Sequence, residues 1–131
     1  MRSFTPVCVA VASLSLTACA SLQPLPASAD FGPPPVGFEA AITARMAPHL
    51  KDSESARYRF GPPRKGYRNQ PIISGGEVSF VGYIVPFQIN AKNGFGGYNG
   101  FKPYQAMVYG GSGGVYGVDQ GANHPLIHVV E

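Results

Sequence analysis

Residues 77–91 read "EVSFVGYIVPFQINA", and this stretch decides the fold. Val81, Tyr83, Val85, Phe87 and Ile89 recur at every second position, the period of a strand with one buried face. Pro86 sits inside the run and has no N–H to give to a neighbouring strand, which predicts either an edge strand or a bulge at that point.

Working outward, the flanking segments fall into two kinds. Upstream, "GFEAAITARMAPHLKD" (37–52) spaces Phe38, Ile42 and Met46 four apart, with Ala41 and Arg45 alongside. That is a narrow apolar stripe on a helix, with Glu39 well placed in the first turn. Pro48 breaks the hydrogen-bond ladder, so the helix is expected to end or kink near Met46, with a short turn on to Leu50. Downstream, "YQAMVYGG" (104–111), "GVYGVD" (114–119) and "PLIHVV" (125–130) are strand segments separated by Gly, Asn and Asp. One helix followed by antiparallel strands predicts an α+β domain, the helix packed on one face of a small sheet of about four strands.

The link after the central strand is "NAKNGFGGYNGFKPY" (90–104), where Gly94, Gly96, Gly97 and Gly100 alternate with Phe95, Tyr98, Phe101 and Tyr104. A nucleotide cradle is a poor fit. Gly94 and Gly96 open a G-x-G-x-x-G pattern, but Asn99 takes the last place and no helix follows. Gly100 is followed by Phe101, so the Walker spacing fails too. The stretch is expected to be a chain reversal first and a contact surface second. Asn93-Gly94 and Asn99-Gly100 resemble hairpin dipeptides. Asn90 is placed to satisfy loose backbone groups, while Lys92 and Tyr98 project. Gly97 is expected to resist substitution by valine, provided its φ is positive.

No catalytic constellation emerges. "GGSGG" (110–114) formally matches a nucleophile elbow at Ser112, but that motif needs a strand running into a helix, and Val115 and Tyr116 continue as strand. A hairpin loop fits better. His124 and His128 are read as sharing one strand face, about 13 Å apart, too far for one metal ion. His49 is remote. The acids Asp30, Glu39, Asp52, Glu54, Glu77, Asp119 and Glu131 are scattered. No enzyme activity, cofactor or metal is expected, although a small envelope hydrolase stays open as an alternative.

The N-terminus speaks to location. Arg2 precedes an apolar run over residues 4–16, too short for the roughly 20 residues of a membrane-spanning helix and suited to a secretory signal. Leu16-Thr17-Ala18-Cys19 resembles the lipobox of bacterial lipoproteins, which implies cleavage before Cys19 and acylation of its thiol. Cleavage at a small-x-small site, after Ala20 or after Ala29, is the competing reading and would release the protein to the periplasm. Ala20 following Cys19 implies export to the outer membrane on its periplasmic face. Three acyl chains exceed the two signals that stable anchoring needs. Cys8 falls in the signal and Cys19 takes the lipid, so no thiol remains for a disulfide. The expected organisation is a signal peptide at 1–18, a Pro-rich tether at 19–36 and one domain at 37–131. With five prolines, "SLQPLPASADFGPPPVG" (21–37) reads as a semi-rigid spacer lifting the domain off the bilayer.

Charge points to binding. The chain carries a formal net charge of +3. "RYRFGPPRKGYR" (57–68) holds Arg57, Arg59, Arg64, Lys65 and Arg68 without an acid, interleaved with Tyr58, Phe60 and Tyr67. Export argues against nucleic acid as the partner. Anionic lipid, lipid A phosphates or an acidic envelope protein fit instead, and so does a bland solvated edge strand whose charges discourage pairing. With the lipobox, "LKDSESARYRFGPPRKGYRN" (50–69) and "INAKNGFGGYNGFKPY" (89–104) together resemble a group of small bacterial envelope proteins. Their segments run Lys-Asp-Pro-x-Ser-Ala and Asn-Ala-Lys-Asn-x-x-Gly-Gly-Tyr. The likeness is most specific at Asn90 to Asn93 and Gly96 to Tyr98. Ser53 replaces that group's proline and Pro86 its cysteine. The resemblance implies domain identity and brings no activity. The expected function is a lipid-anchored binding or assembly module, contacting its partner through the basic tract with Asn90, Lys92, Asn93 and Tyr98. The alternative within the binding class is carbohydrate or peptidoglycan stacking on Phe95, Tyr98, Phe101 and Tyr104.

Overall fold

A strand of thirteen residues, β3 (Val78–Asn90), forms the middle of the structure, a computed structural model that describes residues 21–130. Before it come α1 (Phe38–Met46), β1 (Arg57–Phe60) and β2 (Arg64–Asn69). After it come β4 (Lys102–Val108), β5 (Val115–Gln120) and β6 (Ile127–Val129). The sheet is antiparallel in the order β5-β4-β3-β2-β6, with β1 also paired to β3. The class is α+β as expected, but the sheet has six strands, because the basic tract itself supplies β1 and β2.

The helix follows its stripe. Ile42 and Met46 are buried, Phe38 meets Phe60 edge-on at 6.4 Å, and the chain passes into a 3-10 turn over Ala47–His49 at Pro48. They pack against Val85, Phe87, Ile89, Ala106 and Val108. An aromatic row crosses the same face: Phe60 stacks on Phe87 at 5.9 Å and Phe87 on Tyr104 at 5.4 Å. The opposite face is apolar as well. Phe80, Ile84 and Met107 are buried there with Ile127 against them. Phe80 lies 4.9 Å from Tyr116 and 5.4 Å from Tyr109. Single-face alternation therefore describes only the second half of β3, where Pro86 and Gln88 are exposed between the buried Val85, Phe87 and Ile89. Its first half is covered on both sides.

Pro86 corrects the edge-or-bulge expectation. It lies in a central strand, in unbroken register with Gln105 of β4. Its missing donor points at the one place where none is needed. β1 and β2 lie end to end along the same side of β3, and Gly61-Pro62-Pro63 separates them opposite Pro86. The Gly61 N–H donates to the Pro86 carbonyl at 2.7 Å, so the break in the neighbouring strand matches the break in the ladder.

The described part of the expected tether is strapped onto the domain. The Gln23 N–H donates to the Gly76 carbonyl at 2.8 Å, and the Tyr83 hydroxyl to the Gly32 carbonyl at 2.8 Å. The Gly111 N–H donates to Pro33, and the Val36 N–H to Gly111. Pro35 is buried. Proline keeps its carbonyl as an acceptor and holds an extended shape at little entropic cost, so the same composition that makes a spacer also makes a strap. Cys19 and the signal segment lie outside the described residues.

Candidate functional site

β1 alternates. Tyr58 and Phe60 turn toward the helix side, which leaves Arg57 and Arg59 exposed on the other face. The loop after β3 folds back beneath them. The Asn90 Oδ1 accepts the Gly100 N–H at 3.1 Å. The Asn93 Oδ1 accepts the N–H groups of Phe95 and Gly97, while its amide donates to Asn99. Lys92 and Tyr98 pair as an isolated antiparallel bridge, and the Tyr98 hydroxyl donates to the Ser55 carbonyl at 2.9 Å. These bonds fix two rings under two cations. The Arg57 guanidinium sits 4.6 Å from the Tyr98 ring centre, and Arg59 sits 3.8 Å from that of Phe101. Lys92 approaches Tyr98 from 5.7 Å. Each such contact is worth about 0.5–1 kcal/mol at an exposed site. A guanidinium resting on a ring still presents its N–H edge for bidentate bonds to a carboxylate or phosphate.

Arg64 is exposed on this same face, past Pro62 and Pro63. Between it and Arg59 runs a shallow groove floored by Pro86, whose half beside Arg59 has a volume of about 260 Å³ and is flanked by Gln88 and Pro103. Among the described residues, no carboxylate forms an ion pair with Arg57, Arg59 or Arg64.

The expected five-residue patch is thus divided. Arg57, Arg59 and Arg64 share a surface. Arg68 does not join them, because its Nε donates to Asp119 at 3.3 Å and ties β2 to β5 across the sheet. Lys65 leaves by strand parity, on the helix-side face in register with Tyr83. Asn90 and Asn93 spend their side chains on the loop's own backbone, so they position the site and do not project from it. Phe101, the platform for Arg59, had a legible signal in the alternation of aromatics with glycines, yet its cation partner was not legible.

The four loop aromatics also differ. Phe95 is 99 % exposed and Tyr98 is 37 % exposed, but Phe101 is half-covered by Arg59 and Tyr104 packs on Phe87. A second cleft, of about 330 Å³, lies at the end of the helix between Arg45, His49, Tyr104 and Gln120.

Other expectations about chemistry resolve locally. Ser112 sits in the β4–β5 hairpin loop, so the strand-to-helix geometry of a nucleophile elbow is not formed. His124 lies in the loop before β6 and accepts the Leu126 N–H on Nδ1, whereas His128 is in β6 and stacks on Tyr67 at 4.7 Å. They do not share a strand face, which corrects that expectation; the tight turn through Pro125 takes His124 out of the ladder. Burial pushes the Tyr58 hydroxyl pKa up, with the neighbouring Tyr104 adding to it, and that hydroxyl has no hydrogen-bond partner among the described residues.

No family model, curated protein or solved structure matches the chain.

Proposed function

We propose that this chain is a lipid-anchored envelope protein, held at the periplasmic face of the outer membrane through Cys19, and that it acts as a binding or assembly module for an acidic envelope protein. The observation that carries this reading is the pair Arg57 and Arg59, held over Tyr98 and Phe101, with Arg64 on the same face and, among the described residues, no carboxylate paired to any of the three. Holding long side chains in place before binding reduces the entropy lost on contact. Position favours a protein over the host membrane's own headgroups. The described chain begins at Ser21, beside Gly76 at the start of β3, whereas Arg57 pairs with Asn90 at its end. Thirteen residues of strand separate these ends by about 35–40 Å.

The test is photo-crosslinking from position 95 in intact envelopes, comparing the unaltered protein with an Arg57→Ala/Arg59→Ala/Arg64→Ala variant. The expected result is a captured protein with an acidic surface, lost in the variant and released as salt rises past about 0.15 M, where charges are screened over about 8 Å. Equal capture by the variant, insensitive to salt, overturns the arginine site.

A second reading rests on Phe95. A ring 99 % exposed beside Tyr98 suits stacking on a sugar face, as in contact with peptidoglycan. Pull-down on purified sacculi separates the two, since Phe95→Ala abolishes sugar stacking and leaves a charge-driven contact largely in place.

A further inference from the structure

We propose that the turn carrying Ile72 and Ile73 inserts into the bilayer that holds the Cys19 lipid, and so fixes the domain with its arginine end pointing away from that membrane. The proposal rests on acylation at Cys19 and adds an orientation to it.

Ile73 is 97 % exposed and Ile72 is 48 % exposed, side by side on a 3-10 turn (Ile72–Ser74) between β2 and β3. A hairpin tip in water has no reason to show two branched aliphatic side chains, and sequence reading passed over them because they fit neither periodic pattern. What lies next to them is the start of the described chain. The Gln23 N–H donates to the Gly76 carbonyl at 2.8 Å. The Asn69 amide, fully buried, donates to both Gln23 at 2.9 Å and Gly76 at 2.8 Å. A Cβ placed on Gly76 would come within 2.5 Å of the Ser21 carbonyl oxygen. Cys19 stands two residues before Ser21 in the sequence, a reach of at most about 7 Å. An acyl chain on that cysteine therefore brings the membrane surface to this turn.

The chemistry of the region suits the headgroup boundary. From Asn69 to Gly76 no residue is charged, nor is any from Ser21 to Ala29. Glu77 is the nearest charge beyond the turn, and Arg68 before it is paired with Asp119. Part of the turn's backbone is bonded internally: Ser74 and Gly76 donate to the Pro71 carbonyl and Gly75 to that of Ile72. Backbone groups already bonded can leave water without the penalty that open ones carry. Two isoleucines are too few to hold a protein on a bilayer unaided, so the turn orients what the lipid attaches.

The chain contains no tryptophan, so a single one reports its own surroundings. Full-length acylated Ile73→Trp and Phe95→Trp proteins are reconstituted into phosphatidylethanolamine–phosphatidylglycerol vesicles with brominated acyl chains. The expected result is loss of emission at position 73 by bromine quenching, with position 95 unquenched and open to aqueous acrylamide. Circular dichroism confirms that both variants fold, and an Ile72→Ser protein carrying Ile73→Trp should show weaker quenching. Acylated, vesicle-bound protein whose position 73 stays fully accessible to acrylamide overturns the insertion alone. Absence of acyl mass on Cys19 overturns the anchor and the insertion with it. A concentration-dependent blue shift at position 73 without vesicles marks self-association and overturns the bilayer as occupant.

Discussion

Two glycine-rich loops lie on this domain, and similar composition serves different ends in them. In residues 93–100, Gly96 and Gly100 have φ of 81° and 93°, and a Cβ at either would meet nothing within 4 Å. Glycine is there for backbone angle. In residues 109–114, Gly113 has φ of 72°, and a Cβ on it would collide with the Val36 carbonyl oxygen, as one on Gly110 would with that of Phe31. Glycine is there so that the N-terminal strap can lie backbone against backbone. Composition reports that glycine is needed and is silent on whether angle or space demands it.

The sharpest way to break the comparison is Gly113→Val. Left-handed strain of about 1–2 kcal/mol adds to an overlap worth about 1–3 kcal/mol, so urea denaturation should show a loss of about 2–5 kcal/mol. Hydrogen exchange at Val36 should accelerate with it. Next comes Asn69→Ala, which removes the side-chain bonds from β2 to Gln23 on the strap and to Gly76 on the turn. Unfolding should register a loss of about 1–3 kcal/mol, with the Gln23 amide losing protection.

Smaller is Gly96→Ala, which meets only an unfavourable φ and should cost about 1–2 kcal/mol in thermal denaturation. Gly97 gives the contrast. Its φ is not positive and its nearest neighbours, the Asn93 side-chain atoms, lie at 3.9 Å, so the expected resistance to valine does not follow and Gly97→Ala should be nearly silent. The reversal depends on Asn93 bonding and not on an Asn93-Gly94 hairpin pair. Lys92→Ala should likewise leave the melting temperature nearly unchanged.

The smallest effect is in pH. Tyr58 has its pKa raised in the folded state by burial, then by Tyr104. The unfolded chain releases this proton first, near pH 10, while the folded protein retains it. Stability is therefore full below about pH 10 and is lost as pH rises toward the folded value. Tyr58→Phe should flatten part of that alkaline decline, and at pH 7 it should cost little, because the hydroxyl bonds none of the described residues.

Local period and punctuation by themselves determined much here. The stripe of Phe38, Ile42 and Met46 specified the helix, Pro48 its end, and the alternation from Tyr83 to Ile89 the central strand. Asparagine and glycine specified where that strand reverses, and the Asn90 role followed from its short amide. Each of these depends on residues within one or two turns of one another. Only the tertiary structure decided what crosses the sheet. Asp119 claims Arg68 across two intervening strands, Lys65 changes face by parity, and Phe101 receives Arg59 from another segment. The proline run becomes a strap because glycines some eighty residues on leave room for it, and Pro86 can stay central because the neighbouring strand breaks opposite it. The physical reason is common to all: a side chain's partner across a sheet is set by register, and register is a sum over every strand pair, not a property of any one stretch.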